Sequence, residues 1–161
     1  MLDGPRGYSI FCDDLRQEVG GKKTLVGMYN AVMFVTDNFP VTIPKLVVLA
    51  TYSEPAEKRA NHVELNVYLP GESEEKPASL RATISFEEAE RAGLVGKLTF
   101  GDEPRFVSVQ SVIVLSPLVL QSEGSIKVRV RRGDEIIKLG QLLIRYASPE
   151  VVSQTSGATS S

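Results

Sequence analysis

The sequence has little to offer a metal ion or a disulfide. It holds one cysteine, Cys12, and one histidine, His62. A lone cysteine excludes an internal disulfide, and the two residues together fall short of the ligand set of a structural zinc site. No apolar run approaches the roughly 18 residues of a membrane-spanning helix. The opening "MLDGPRGYSI" has no apolar stretch of the kind a secretory signal needs. These absences predict a cytoplasmic protein with no membrane partner and no cofactor. Strong charge of one sign is also missing, since the net charge is −2. Residues 1–104 carry 11 basic and 16 acidic side chains, and residues 105–146 carry 7 and 3. An acidic front and a mildly basic back suit a polar interface, and the imbalance is too small to point to nucleic acid. What is present is ordinary: 161 residues, 42% hydrophobic and 24% charged. That is enough for one domain to bury a core without covalent staples.

The dominant hydrophobic period is two. Tyr8, Ile10 and Cys12 alternate in "YSIFCD", and Gly20-Gly21 then leads into "KTLVGMYNAVMFV". Two β-rich runs around a pair of glycines mark a hairpin. The alternation falters between Cys12 and Val19, because Leu15 and Val19 have the opposite parity. A β-bulge near Asp13-Asp14 or an early strand end is therefore expected. Gly27 inside the second run predicts a bulge, a bend or a close backbone approach. Pro40 and Pro44 mark a loop or an edge crossing. "KLVVLATY" reads as a strand buried on both faces. "EPAEKRANH" is a polar loop or a short helical turn. "HVELNVYL" is a strand with Val63, Leu65, Val67 and Leu69 inward. "PGESEEKPA" reads as a solvated acidic turn, and "SLRATIS" as the next strand. One helix is expected over about residues 86–92, with Ser85 and Glu88 forming a capping box and Gly93 ending it. "RFVSVQSVIVLSPLVL" is a long apolar strand interrupted at Pro117. The last hairpin turns near Gly133-Asp134. The fold class expected is an all-β, antiparallel sandwich of about eight strands with one short helix. It spans residues 8–147, after a lead at 1–7 and before a Ser/Thr/Gly-rich tail, 148–161, expected to be disordered.

Few residues suggest chemistry. Cys12 and His62 would serve as nucleophile and base only if the fold brought them together. The alternating position of Cys12 predicts a core side chain instead. Asp13 and Asp14 would need further acids, such as Asp37 or Asp102, to hold calcium. No spaced calcium-loop pattern is present, and turn or bulge chemistry, with one aspartate accepting backbone N–H bonds or pairing with Arg16, is the plainer reading. "GGKKT" is not a phosphate loop: Arg16 stands where the first glycine belongs, and Lys23 where Ser or Thr belongs. Arg132-Gly133-Asp134 matches the integrin-binding tripeptide, but Gly-Asp is also what a tight hairpin turn requires. Lys127, Arg129, Arg131 and Arg132, with Lys138, form a candidate basic stripe on the last hairpin. Such a stripe suits an anionic small molecule such as a nucleotide, or an acidic protein surface. No aromatics interleave with it, which speaks against nucleic acid.

"SIFCDDLRQEVGGKKTLVGMY" followed by "FPVTIPKL" resembles an uncharacterised family of bacterial and phage-associated proteins. The resemblance rests on the Cys12-Asp13-Asp14 series, Arg16, Glu18, Gly20-Gly21-Lys22, Leu25, Gly27, Tyr29 and Pro44-Lys45-Leu46. It covers about the first third of the chain. It implies a bacterial or phage origin and assigns no activity and no catalytic residue.

The leading functional expectation is a non-enzymatic module that binds a protein partner or self-associates, with exposed sheet edges as the contact. A small anionic ligand on the basic stripe, such as a nucleotide in phage–host conflict, is the alternative. An enzyme using Cys12, Asp13 and Asp14 is the third reading. The candidate binding residues are Lys127, Arg129, Arg131, Arg132, Asp13 and Asp14.

Overall fold

The period-two pattern is realised as two facing five-stranded sheets. The computed structural model describes residues 3–99, 101 and 104–156. In chain order the elements are β1 (Arg6–Gln17), β2 (Lys23–Tyr29), β3 (Val32–Val35), β4 (Val41–Ile43), β5 (Leu46–Pro55), β6 (His62–Tyr68), β7 (Leu80–Ser85), α1 (Phe86–Arg91), β8 (Val95–Thr99), β9 (Pro104–Leu115), β10 (Leu118–Leu120), β11 (Gly124–Arg132), β12 (Glu135–Tyr146) and α2 (Pro149–Ser156). The first sheet has the order β2-β1-β5-β9-β8 and the second β3-β12-β11-β6-β7. β4 and β10 form a separate two-stranded ribbon. The inward rows, including Val48, Ala50 and Tyr52 of β5 and Ile126, Val128 and Val130 of β11, meet in one core. No described helix is long and apolar enough to cross a membrane.

The all-β sandwich expected from the sequence is thus present, with more strands and a second helix. The run after Gly20-Gly21 breaks into β2 and β3, which join different sheets. β3 pairs with β12 in parallel, so the sandwich is not antiparallel throughout. The Pro40–Pro44 loop contains β4, and β8 had no sequence signal. These strands are three to five residues long, too short for alternation to register. The expected helix forms, with Ser85 Oγ accepting from Glu88 N and Phe86 and Ala89 buried. Pro149–Ser156, within the tail, form α2. There Pro149 stands at the first helical position, where its missing N–H costs nothing. Residues 157–161 lie outside the described residues.

The faltering alternation after Cys12 has a different cause from the one expected. The β1–β2 register runs without a shift from Phe11↔Tyr29 to Gln17↔Lys23, so no bulge interrupts it and β1 does not end early. β1 leaves β5 after Cys12↔Val47, and the rest of the hairpin is an arm with no core face to keep in phase. Gly27 is the bend: its φ is +66°, and a Cβ there would lie 2.2 Å from Asp13 Oδ2. A true bulge occurs in the other sheet. Val128 and Arg129 face Gly140 and Lys138, which leaves Leu139 as the extra residue of β12. Buried positions accordingly switch parity from Ile137 and Leu139 to Leu142 and Ile144.

Candidate functional site

The Cys12-Asp13-Asp14 patch does not assemble into a reactive centre. Cys12 is fully buried on β1 of the first sheet, whereas His62 begins β6 in the second. Burial first, then the charges of Asp13 and Asp14, push the Cys12 thiol up, which disfavours a nucleophilic thiolate. Successive strand residues point to opposite faces, and the two aspartates accordingly diverge. Asp13 accepts from the Tyr29 hydroxyl at 2.6 Å. Asp14 accepts from Lys45 Nζ at 2.5 Å and stands 3.9 Å from Arg16 Nε. The hydrogen bond from Lys45, with one from the Leu15 backbone N–H, holds the Asp14 carboxyl below the usual carboxylate range. No cluster of metal-ligating side chains occurs among the described residues. Asp102, named with the calcium reading, lies outside them.

The basic stripe is largely occupied by the protein's own acids. The segment between β6 and β7, read as a solvated turn, folds back on the second sheet. Ala78 within it is buried, and Lys76 O accepts from the Tyr68 hydroxyl at 3.1 Å. Its Glu74 takes Lys127 Nζ at 3.0 Å and Arg129 Nε at 2.5 Å. Arg129 is only 6% exposed and also donates to Val128 O and Gly140 O. Arg132 turns inward, to Glu54 at 2.8 Å, so the tripeptide at the hairpin tip does not display its arginine. Arg131 and Lys138 alone of the five point to solvent.

This arrangement makes the Glu74 clasp pH-dependent. Partial burial acts to raise the Glu74 pKa, but hydrogen bonds and charge from Lys127 and Arg129 outweigh it and hold it below the ordinary 4.5. A depressed folded-state pKa means that the stabilisation is complete above 4.5 and is lost as pH falls through the lower folded value. Glu74→Gln should therefore cost on the order of 1–2 kcal/mol at neutral pH, mainly through the buried Arg129 left without its counter-ion. Thermal melts of both proteins across an acid series check this, and the gap between them should close in acid. A gap that is constant with pH would contradict the assignment.

The feature that sequence reasoning missed lies on the first sheet. Directly paired residues share a face, so the register defines rows across its outer surface. One row is Met28–Cys12–Val47–Val114, the next is Ile10–Leu49–Val112, and a third is Tyr8–Thr51–Gln110. The middle of each row is buried, while Met28, Tyr8, Val112 and Val114 are exposed, Val114 by 55%. "KLVVLATY" is thus buried on both faces, as expected. The hairpin arm bends back toward this surface, with Lys23 Nζ donating to Gln110 Oε1 at 3.2 Å. It leaves the β9 margin uncovered.

That margin is also a free strand edge. β5 pairs along β9 from Phe106 to Leu115, whereas β8 stops at Val95↔Val109. Among the described residues, Gln110–Leu115 have no strand on their other side. The chain carries no charged residue from Phe106 to Ser122, so the devices that usually guard an edge are absent. Behind it, a mainly apolar cavity of about 150 Å³ separates Ile113 from Leu65, Val67, Leu80, Arg81 and Ala82 of the second sheet. A larger cleft of about 670 Å³ near α1 is lined by Arg59, His62, Ser85 and Glu88 among others. There the Ser85 hydroxyl caps the helix and Arg59 pairs with Glu90 at 2.8 Å.

The sequence model of a family of unknown function (DUF6941) matches residues 7–145, nearly the whole sandwich. The chain belongs to this family. The match takes in the first hairpin and both sheets, and DUF6941 carries no assigned activity. No curated protein and no solved structure matches the chain. The functional reading of this DUF6941 member therefore rests on its own geometry.

Proposed function

We propose that this protein is a non-enzymatic β-sandwich module that binds a protein partner or itself, working in the cytoplasm of a bacterium or of a phage-infected cell. The observation that carries the reading is the exposed apolar margin of the first sheet, where Val112 and Val114 border an uncharged free edge. Exposed apolar surface of this kind marks contact sites, and a free edge offers main-chain hydrogen bonds to an added strand. The buried thiol and the divergent aspartates weaken an enzymatic reading. The pairing of Lys127, Arg129 and Arg132 with Glu74 and Glu54 weakens that of a nucleotide site. Size-exclusion chromatography with light scattering, alone and after co-purification from a bacterial lysate, tests the proposal. The expected result is a defined oligomer or a stoichiometric complex. A monomer that purifies with no partner would overturn it.

A further inference from the structure

We propose that two copies of this chain join through the free edge of β9, Gln110–Leu115, antiparallel about a two-fold axis at Ile113. The first sheets of the two copies then run on as one. The inference rests on the binding reading above and names the partner as a second copy.

Two separate features point to an added strand at this place. The first is the gap itself. β8 ends opposite Val109 on one side, and Pro117 halts β9 after Leu115 on the other. β10 then leaves to pair with β4. A free run is left in the middle of one side of the sheet, framed by structure at both ends. The second is the cavity behind the edge. α1 fills one end of that side of the sandwich with Phe86 and Ala89. The rest, between Ile113 and Leu80, Ala82, Leu65 and Val67, is unfilled. An apolar void forfeits packing contacts, and a strand added to β9 would bring an inward aliphatic side chain to its mouth.

The chemistry of the edge selects a second copy. The segment "QSVIVL" has no charge, proline or glycine; the cations beside it are Arg81 at the cavity and Lys23, whose Nζ is held by Gln110. The segment complements itself. An axis normal to the sheet keeps outer faces together, so the pairing must set even residues against even ones. Centred on Ile113, it places Val112 against Val114 of the second copy, and Ile113 against its equivalent above the cavities. Centred on Val112, it would set Val114 against Gln110. β-branched residues facing each other across strands are the favoured pairs, and a two-fold contact between identical patches closes without forming a fibre.

The test uses the full chain. Light scattering should give a dimer, and Val114→Lys should raise its dissociation constant by about 100-fold. Val114 is exposed, so the circular dichroism spectrum of the variant should be unchanged. The register is checked by oxidative cross-linking. Chains bearing Val112→Cys mixed with chains bearing Val114→Cys should give a disulfide-linked dimer, and neither variant should do so alone. Cys12 is buried and stays silent. A wild-type monomer at all concentrations would overturn the inference; a stable complex with another protein would then leave the broader reading standing. A dimer that survives Val114→Lys, or cross-links without the mixed pattern, would place self-association on another surface and also overturn it.

Discussion

Arg132→Met is expected to cost about 3–5 kcal/mol, because it leaves a buried carboxylate without its counter-charge. Glu54 of β5 has a fully buried side chain. It accepts from Arg132 Nε at 2.8 Å, from the Tyr52 hydroxyl at 3.0 Å and from Ala60 N at 2.7 Å. Arg132 ends β11 in the opposite sheet and also donates through Nη2 to Lys58 O. The cluster thus ties the two sheets together at one end of the sandwich. Burial, and then the charge of Glu54, push the Tyr52 phenol up, so Tyr52 remains a donor. With Arg132 gone, two neutral donors are left to hold a charge in low dielectric. The double variant Glu54→Leu with Arg132→Met should be more stable than Arg132→Met alone, since it removes the stranded charge as well. Urea denaturation of wild type and variants measures both effects. A loss under about 1 kcal/mol for Arg132→Met would show that the pair is merely a surface bridge.

Gly7→Ala should destabilise by about 3 kcal/mol, the upper end of what overpacking usually costs. A Cβ at Gly7 would lie 2.1 Å from the carbonyl oxygen of Thr51 and 2.6 Å from Leu139 Cδ2. The first contact is backbone within the β1–β5 pairing, and the second is the bulged residue of β12. One side of the residue is therefore closed by the first sheet and the other by the second. Neither can yield without parting strands or displacing a buried leucine. Gly4→Ala is the control, because nothing lies within 4 Å of a Cβ there. The urea midpoint should fall sharply for the first variant and barely move for the second. Equal behaviour would mean that the sheets do not close at this corner.

The prediction at Arg132 shows why sequence reasoning stopped where it did. Lys127, Arg129 and Arg131 alternate with Ile126, Val128 and Val130, and that local pattern correctly assigns which row is core. It carries no information about what lies over the other row. Glu74, some fifty residues earlier, settles that. Arg132 stands in the inward row at the end of β11, but its acceptor is on β5. The same holds for the aspartates. Their adjacency in sequence suggested a joint role, and the strand geometry that separates them was already implied by the period of two.

The sequence by itself determined the features set by neighbouring residues: the alternation of the long strands, the hairpin at Gly20-Gly21, the turn at Gly133-Asp134, the capped helix after Ser85 and the two-sided burial of β5. Steric limits on φ and ψ and the spacing of apolar side chains act over a few residues, so they are legible in any short window. The tertiary structure alone decided the parallel pairing of β3, the ribbon of β4 with β10, the capture of the basic row by Glu74 and Glu54, and the uncovered edge of β9. Each of these depends on which distant segment arrives alongside. For β9 it depends on a segment that does not: β8 stops at Val109, and the apolar strand that continues beyond it is left with one neighbour.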